Sequence, residues 1–280
     1  MVSDPTIQTT QDRLVALIAE LPSCLIAFSG GVDSAVVAKA AHLALGDKAV
    51  AVTGESASLA SGELETAQRI AQSIGIHHQT LSTQELDRAG YLANAPSRCW
   101  HCKTELYERL EVLGQELGIR HILNGANTDD QGDFRPGMQA ATEHQVRSPL
   151  IECGIDKAGV RELAQHWQLE VWDKPATPCL SSRVVYGLNI TPGRLARIDA
   201  AEQLLRELGF HQIRVRHHHD DLARLEVAAA DLLKLCEEGT RNRVTSCLRE
   251  LGFRYVTIDL EGFRSGSFQQ LVPTEELKRW

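Results

Sequence analysis

Apolar positions fall along the chain in two alternating signatures. Uninterrupted runs, Cys24-Leu25-Ile26-Ala27-Phe28 and Ala49-Val50-Ala51-Val52-Thr53, read as strands buried on both faces. The stretch between them, Ala35-Val36-Val37-Ala38-Lys39-Ala40-Ala41, reads as a helix. Residues 62–74 carry Leu64, Ala67, Ile70, Ala71 and Ile74 at helical spacing, and Gly75 stops them. A shorter third strand is expected near residues 78–81, and His121-Ile122-Leu123-Asn124 is a fourth. Further helices are expected over residues 11–21, 104–117 and 156–167. Alternating strands and helices predict an α/β fold, a parallel sheet with helices on both faces. In such sheets ligands bind beyond the carboxyl ends of the strands. The loops over residues 29–34, 54–59 and 125–137 lie at those ends and should converge there.

Past Thr177 the pattern changes. Pro175, Pro178, Gly187, Pro192 and Gly193 punctuate an irregular stretch. A helix over 194–208, strands over 212–216 and 222–227, helical segments near 229–236 and 241–251, and a last strand over 254–259 follow. These predict a smaller α+β domain over residues 186–280, after a first domain over 1–185.

Composition narrows the class. The chain has 280 residues, 43% hydrophobic and 24% charged, as ordinary globular proteins do. A net charge of −8 disfavours a long nucleic acid as partner. No apolar run approaches the length that spans a bilayer. The start lacks the basic and apolar regions of an export signal. Seven cysteines, an odd number, then point to a reducing cytoplasm with thiols or ligands rather than disulfides.

Ser29-Gly30-Gly31-Val32-Asp33-Ser34 lies between a strand and a helix start, where backbone N–H groups and the helix dipole favour an anion. No Gly-Lys-Ser/Thr follows, so this is not a Walker A loop. It resembles the PP-loop of ATP pyrophosphatases. That resemblance implies cleavage of ATP between its α- and β-phosphates and transfer of AMP to a substrate oxygen. Ser29, Gly30, Gly31, Asp33 and Ser34 are the expected ATP contacts, with Asp33 capping the helix or meeting Mg2+. Thr53, Gly125, Asn127 and Asp130 come from neighbouring strand ends. Asp129 and Asp130 either ligate magnesium, order the loop, or are simply solvated.

Cys99-Trp100-His101-Cys102 falls in what reads as a long loop after the third strand, and Cys179 in Lys174-Pro175-Ala176-Thr177-Pro178-Cys179-Leu180-Ser181-Ser182-Arg183. Three such cysteines can hold a 4Fe–4S cluster with one iron open. A zinc site completed by His101 or solvent competes, and so do unconnected thiols. Arg183 is placed to lower the Cys179 pKa. Cys24, Cys153, Cys236 and Cys247 read as packing residues. Trp100 would shield a cluster, stack on a base, or anchor its loop. Arg214 and Arg216 share one strand face and suit a phosphate, or else pair with Glu226 or Asp220. Arg264 is another phosphate candidate or a subunit contact. Glu202 reads as a helix-surface carboxylate, and His217-His218-His219 as a turn rather than a metal site.

Together these segments resemble the LarE family of ATP-dependent sulfur transferases over nearly the whole chain. The resemblance rests on residues 29–34, Asn124-Gly125-Ala126-Asn127-Thr128-Asp129-Asp130 with Asp133-Phe134-Arg135-Pro136-Gly137, Pro149-Leu150, residues 174–183, Ile213-Arg214-Val215-Arg216 and Asp259-Leu260-Glu261-Gly262-Phe263-Arg264-Ser265-Gly266-Ser267. It implies a pyridinium-3,5-dicarboxylate mononucleotide as substrate. Each carboxylate would be adenylated and converted to a thiocarboxylate for the nickel-pincer cofactor of lactate racemase. Family members with one active-site cysteine give up that sulfur, and Cys179 matches it. The added Cys99 and Cys102 match a three-cysteine subgroup, whose 4Fe–4S cluster would carry sulfide from an outside source. The resemblance also implies a homo-hexamer, and assigns Arg214, Arg216 and Arg264 to the substrate phosphate. A PP-loop tRNA thiolase competes but would want a positive surface. An amidotransferase of the NAD-synthetase kind leaves the cysteines unexplained. A non-enzymatic ATP- or zinc-binding module is the remaining alternative.

Overall fold

The computed structural model describes residues 5–131 and 136–264. In chain order the first half runs α1 (Pro5–Ala19), β1 (Cys24–Ala27), α2 (Val32–Leu45), β2 (Ala49–Glu55), α3 (Glu63–Ile74), β3 (His77–Ser82), α4 (Ala89–Leu92), α5 (Arg98–Leu117), β4 (His121–Leu123), α6 (Pro136–Glu143), α7 (Pro149–Glu152) and α8 (Lys157–His166). The second half runs α9 (Pro192–Glu207), β5 (Ile213–His218), β6 (Leu222–Val227), α10 (Leu232–Cys236), α11 (Glu238–Glu250) and β7 (Tyr255–Ile258).

The first sheet has the order β3-β2-β1-β4, all parallel. The two apolar runs form its centre because helices cover both sides. Cys24, Ile26, Ala49 and Ala51 pack with α1, α2, α3 and α8, whereas Leu25, Val50 and Val52 pack with Tyr107, Leu110 and Ala140 of α5 and α6. That division is the period of two in a strand. The order reverses beside β1, which places the topological switch point at the loop after β1.

The second sheet has the order β5-β6-β7, antiparallel then parallel. Its core joins Leu205, Phe210, Val215, Leu225, Val244 and Phe253. Residues 180–190 bind the two sheets together. Val184 bridges His217, Gly187 N donates to Asn94 O, and Ile190 N donates to Leu92 O. Among the described residues no helix is long and apolar enough to cross a membrane.

Three sequence expectations need correction. Cys99 and Cys102 lie in the opening turns of α5, not in a loop, because that helix begins at Arg98 rather than Thr104. Glu202 is fully buried, since α9 packs it beneath β5 instead of facing solvent. Cys236 is exposed and Cys247 half-buried, so only Cys24 and Cys153 are core residues. Asp133, Phe134, Arg135 and residues 265–267, which contributed to the resemblance, lie outside the described residues.

Candidate active site

The loop over residues 29–34 takes its shape from close approaches that exclude side chains. Gly30 has φ +67, and a Cβ there would sit 2.9 Å from Ala67 Cα of α3. At Gly125 a Cβ would sit 2.7 Å from Ser34 N, so the loop after β4 lies directly on the start of α2. Ser34 Oγ donates to Gly31 O at 3.1 Å and lies 3.2 Å from Ser29 Oγ. Val32, Asp33 and Ser34 form the first turn of α2, whose amides helix geometry leaves without intrahelical acceptors. Gly31 is the N-cap, and no side chain caps this helix.

Asp33 therefore does not cap. Its Oδ1 accepts from Asn127 Nδ2 at 3.0 Å and its Oδ2 from Lys157 Nζ at 2.5 Å. Asn127 and Asp130 form a reciprocal capping box: Asn127 Oδ1 accepts from Asp129 N, and Asp130 Oδ2 accepts from Asn127 N, each at 3.0 Å. Lys157 N donates to Asp129 Oδ2 at 3.3 Å. Lys157 was not singled out from sequence. Its helix start was visible, but not its reach back to Asp33. The chain thus has an ammonium beside its glycine loop, although no lysine follows the glycines. Thr53 is spent elsewhere: its hydroxyl donates to Phe28 O at 2.8 Å and meets His78 Nε2 at 2.8 Å, inside the sheet.

The segments that carry the cysteines come together one loop further along the same sheet edge: Cys102 packs against the apolar cluster that holds Leu180, and Arg98 donates to Ser181 O. Cys99 and Cys102, three apart on α5, share a face of that helix. Cys179 precedes the turn over Leu180–Arg183, and Leu180 N donates to Ser58 O, in the loop after β2, at 2.8 Å. The Cys102 thiol is pushed up by burial and then by the charge of Cys179 and of Glu85. Tyr91 is pushed up by burial and then by Cys179 and Cys102. Burial pulls Lys103 down, but Tyr107 and then the three cysteines outweigh it and raise it. The three thiols therefore share one electrostatic neighbourhood. Cys99 is exposed, and Cys102 and Cys179 are half-buried.

Second-sheet residues hold the Cys179 segment. Arg183, with no exposed surface, meets Glu202 at 3.0 Å, and its Nη1 donates to the carbonyls of Pro178 and Cys179. Its charge is spent on a carboxylate and a backbone turn. That is a clamp, where the sequence suggested a tuner of the thiol. Trp100 donates from Nε1 to Glu143 Oε2 at 2.9 Å, which anchors α5 to α6. His101 is packed so closely on α4 that a Cβ at Gly90 would lie 2.2 Å from its ring.

The three candidate phosphate arginines differ. Arg216 is bonded to Glu226 at 3.0 and 2.8 Å, and to Ser182 O at 3.0 Å. Arg264 meets Glu261 at 2.6 Å and Asp259 at 3.7 Å. Arg214 pairs with no carboxylate among the described residues. It donates to Ile213 O and to Ala176 O, and lies 5.0 Å over the Phe263 ring. Burial, and then Arg183, lower its pKa to about 10. Of the three histidines read as a turn, His217 and His218 instead end β5, where they pair with Ala223 and Leu222, and only His219 begins the turn.

Residues 23–96 match the family model described as queuosine biosynthesis protein QueC. An uncharacterised protein of Synechocystis sp. is 44% identical over 95% of this chain and 99% of its own. Pyridinium-3,5-bisthiocarboxylic acid mononucleotide synthase of Lactiplantibacillus plantarum is 37% identical over 97% of this chain and 98% of its own. The tRNA-specific 2-thiouridylase MnmA of Xanthobacter autotrophicus is 30% identical over 54% of this chain and 48% of its own.

Proposed function

The chain belongs to the family of pyridinium-3,5-bisthiocarboxylic acid mononucleotide synthases, LarE, and from that premise we propose that it adenylates the carboxylates of a pyridinium-3,5-dicarboxylate mononucleotide and replaces oxygen with sulfur. It is an ATP-dependent sulfurtransferase, and the product would serve a nickel-pincer cofactor. The observation that carries this reading is a glycine loop bearing Asp33 and Lys157 at the same sheet edge as two cysteine-bearing segments, which the Arg98–Ser181 bond and the packing of Cys102 against the Leu180 cluster hold together.

A carboxylate repels a thiolate, and joining it to AMP removes that charge and provides a leaving group. The first-turn amides of α2, with the Lys157 ammonium, offset charge on the departing pyrophosphate. Magnesium fits as a partner of ATP rather than of a protein cage. Among the described residues no three His, Cys, Asp or Glu side chains gather closely enough to hold one ion, and Mg2+ is commonly held by one or two carboxylates plus phosphates. Asp33 and Asp130 are its nearest candidates.

Cys99, Cys102 and Cys179 fit a 4Fe–4S cluster: they come from two segments, and Arg98 and Lys103 beside them offset an anionic core. A single zinc is less well served, since no three such side chains gather around one point among the described residues. A cluster bound there would supply sulfide from its open iron. The chain's own part is to fix the three sulfurs, through the α5 start and the Arg183 clamp. Arg214, which pairs with no carboxylate among the described residues, is the arginine best disposed to take the substrate phosphate.

Incubation with ATP and substrate should release AMP and pyrophosphate, and Asp33→Ala and Ser34→Ala should each cripple that release. ADP with orthophosphate as products would refute the assignment. Arg214→Ala should weaken the pyridinium mononucleotide by about ten- to a hundredfold, from a charge-assisted contact of about 1.5–3 kcal/mol. ATP binding should stay nearly unchanged. Separate titrations of the two ligands check this, and equal losses for both would count against a dedicated phosphate site.

A further inference from the structure

Arg98 is buried, at 4% exposure, yet pairs with no carboxylate among the described residues. Its Nη1 donates to two neutral acceptors, Asn94 Oδ1 at 2.7 Å and Ser181 O at 2.8 Å. Its Nη2 points to Cys99 Sγ at 3.9 Å. Arg98 Cζ lies 5.7 Å from the Tyr186 ring centroid.

Three features make this arrangement costly without an anion. A buried guanidinium normally requires a counter-charge. Arg98 is also the first residue of α5, where the helix dipole is positive and a cation is disfavoured. Lys103, one and a half turns along, adds a second cation with no carboxylate partner among the described residues. Neutral acceptors from Asn94 and Ser181 hold the group in place but leave its charge uncompensated. The one potential anion it touches is sulfur. Its bond to Ser181 O also ties the start of α5 to the turn after Cys179, because Ser181 belongs to that turn.

We propose that Arg98 is a positioning residue that gives the three-cysteine centre a fixed positive charge and selects an anionic sulfur species, of the hydrosulfide class, at the exposed thiol of Cys99. Cys99, the exposed thiol of the three, is then the edge at which such an anion meets the centre, and no bond is made or broken in that step. The proposal rests on reading the three thiols as the sulfur centre. Its test needs no metal, ATP or turnover, so it succeeds or fails separately from that reading.

The field at Cys99 can be read from the ratio of its alkylation rates by iodoacetate, which is anionic, and iodoacetamide, which is neutral. At one pH the thiolate fraction cancels in that ratio. Rates are measured on reduced, metal-free protein and resolved by peptide mass spectrometry. In the native wild type the Cys99 ratio should exceed that of the same protein unfolded in urea by about threefold or more. Exposed Cys236 serves as the control in the same sample and should show a smaller rise. Arg98→Gln should lower the Cys99 ratio by about threefold, whereas Arg98→Lys should hold it within about twofold of the wild type. A role limited to bracing the two segments would not make the ratio follow charge. Equal native and unfolded ratios in the wild type overturn the proposal without recourse to any variant. An unchanged ratio in folded Arg98→Gln overturns it as well.

Discussion

Replacing Cys99, Cys102 or Cys179 singly with alanine is expected to abolish sulfur transfer in anaerobic assays supplied with sulfide, while AMP release persists. On the proposed reading the thiols act after adenylation, and the turn after Cys179 bonds to the loop after β2, next to the glycine turn proposed to meet ATP. Two thiolates hold a 4Fe–4S core poorly, so losing any one should be as damaging as losing another. A sacrificial mechanism makes a different forecast. Cys179 alone would then be essential, and the wild-type chain would become lighter by about 34 Da as its cysteine turned to dehydroalanine. Intact-protein mass spectrometry after turnover, beside the three variants, separates the two. Activity retained in Cys99→Ala together with that mass loss would sink the cluster.

Arg183→Met is expected to be strongly destabilising. Arg183 and Glu202 are both fully buried, and removing one partner of such a pair costs about 3–5 kcal/mol. Arg206, at 3.3 Å and 39% exposed, still pairs with Glu202 but compensates only in part. The melting temperature should fall by roughly 6–20 °C. Joint replacement by Arg183→Met and Glu202→Leu should recover much of that loss, since it leaves no buried charge unpaired. Sulfur transfer should stay impaired in the double variant, because the carbonyls of Pro178 and Cys179 have lost their donor. A melting curve within a degree of wild type for Arg183→Met would show that the clamp carries no weight.

The central strands were legible because both faces of β1 and β2 are covered, which forces continuous apolar runs. The start of α5 was not. Arg98-Cys99-Trp100-His101-Cys102-Lys103 has no apolar period, Ser97 makes no side-chain cap, and a cation in the first turn runs against the dipole. Tertiary contacts set that start: Arg98 bonds to Ser181, and Trp100 to Glu143. Glu202 was misread for a related reason. Its partner Arg183 lies 19 residues earlier, on another element, and no periodicity reports such a pairing. Cys236 misled in the opposite sense. Leu232-Leu233-Lys234-Leu235-Cys236 looks like a core helix, yet it is one short turn with Leu233 84% exposed. Lys157 illustrates the limit of motif reading, since the cation beside the glycine loop is 124 residues away in the chain.

The tie between the two sheets over residues 180–190 bears on how far this chain can be taken apart. Leu180, Val184 and Ile190 share one apolar cluster with Ala60 and Tyr91 on one side and Leu195 and Ile198 on the other. A chimera joined at residue 185 would cut through that cluster instead of through a linker. Recombining halves from different relatives would then require that both parents agree at these positions. A junction placed outside residues 180–190 therefore disturbs fewer of the side chains that couple the two sheets than one placed within them.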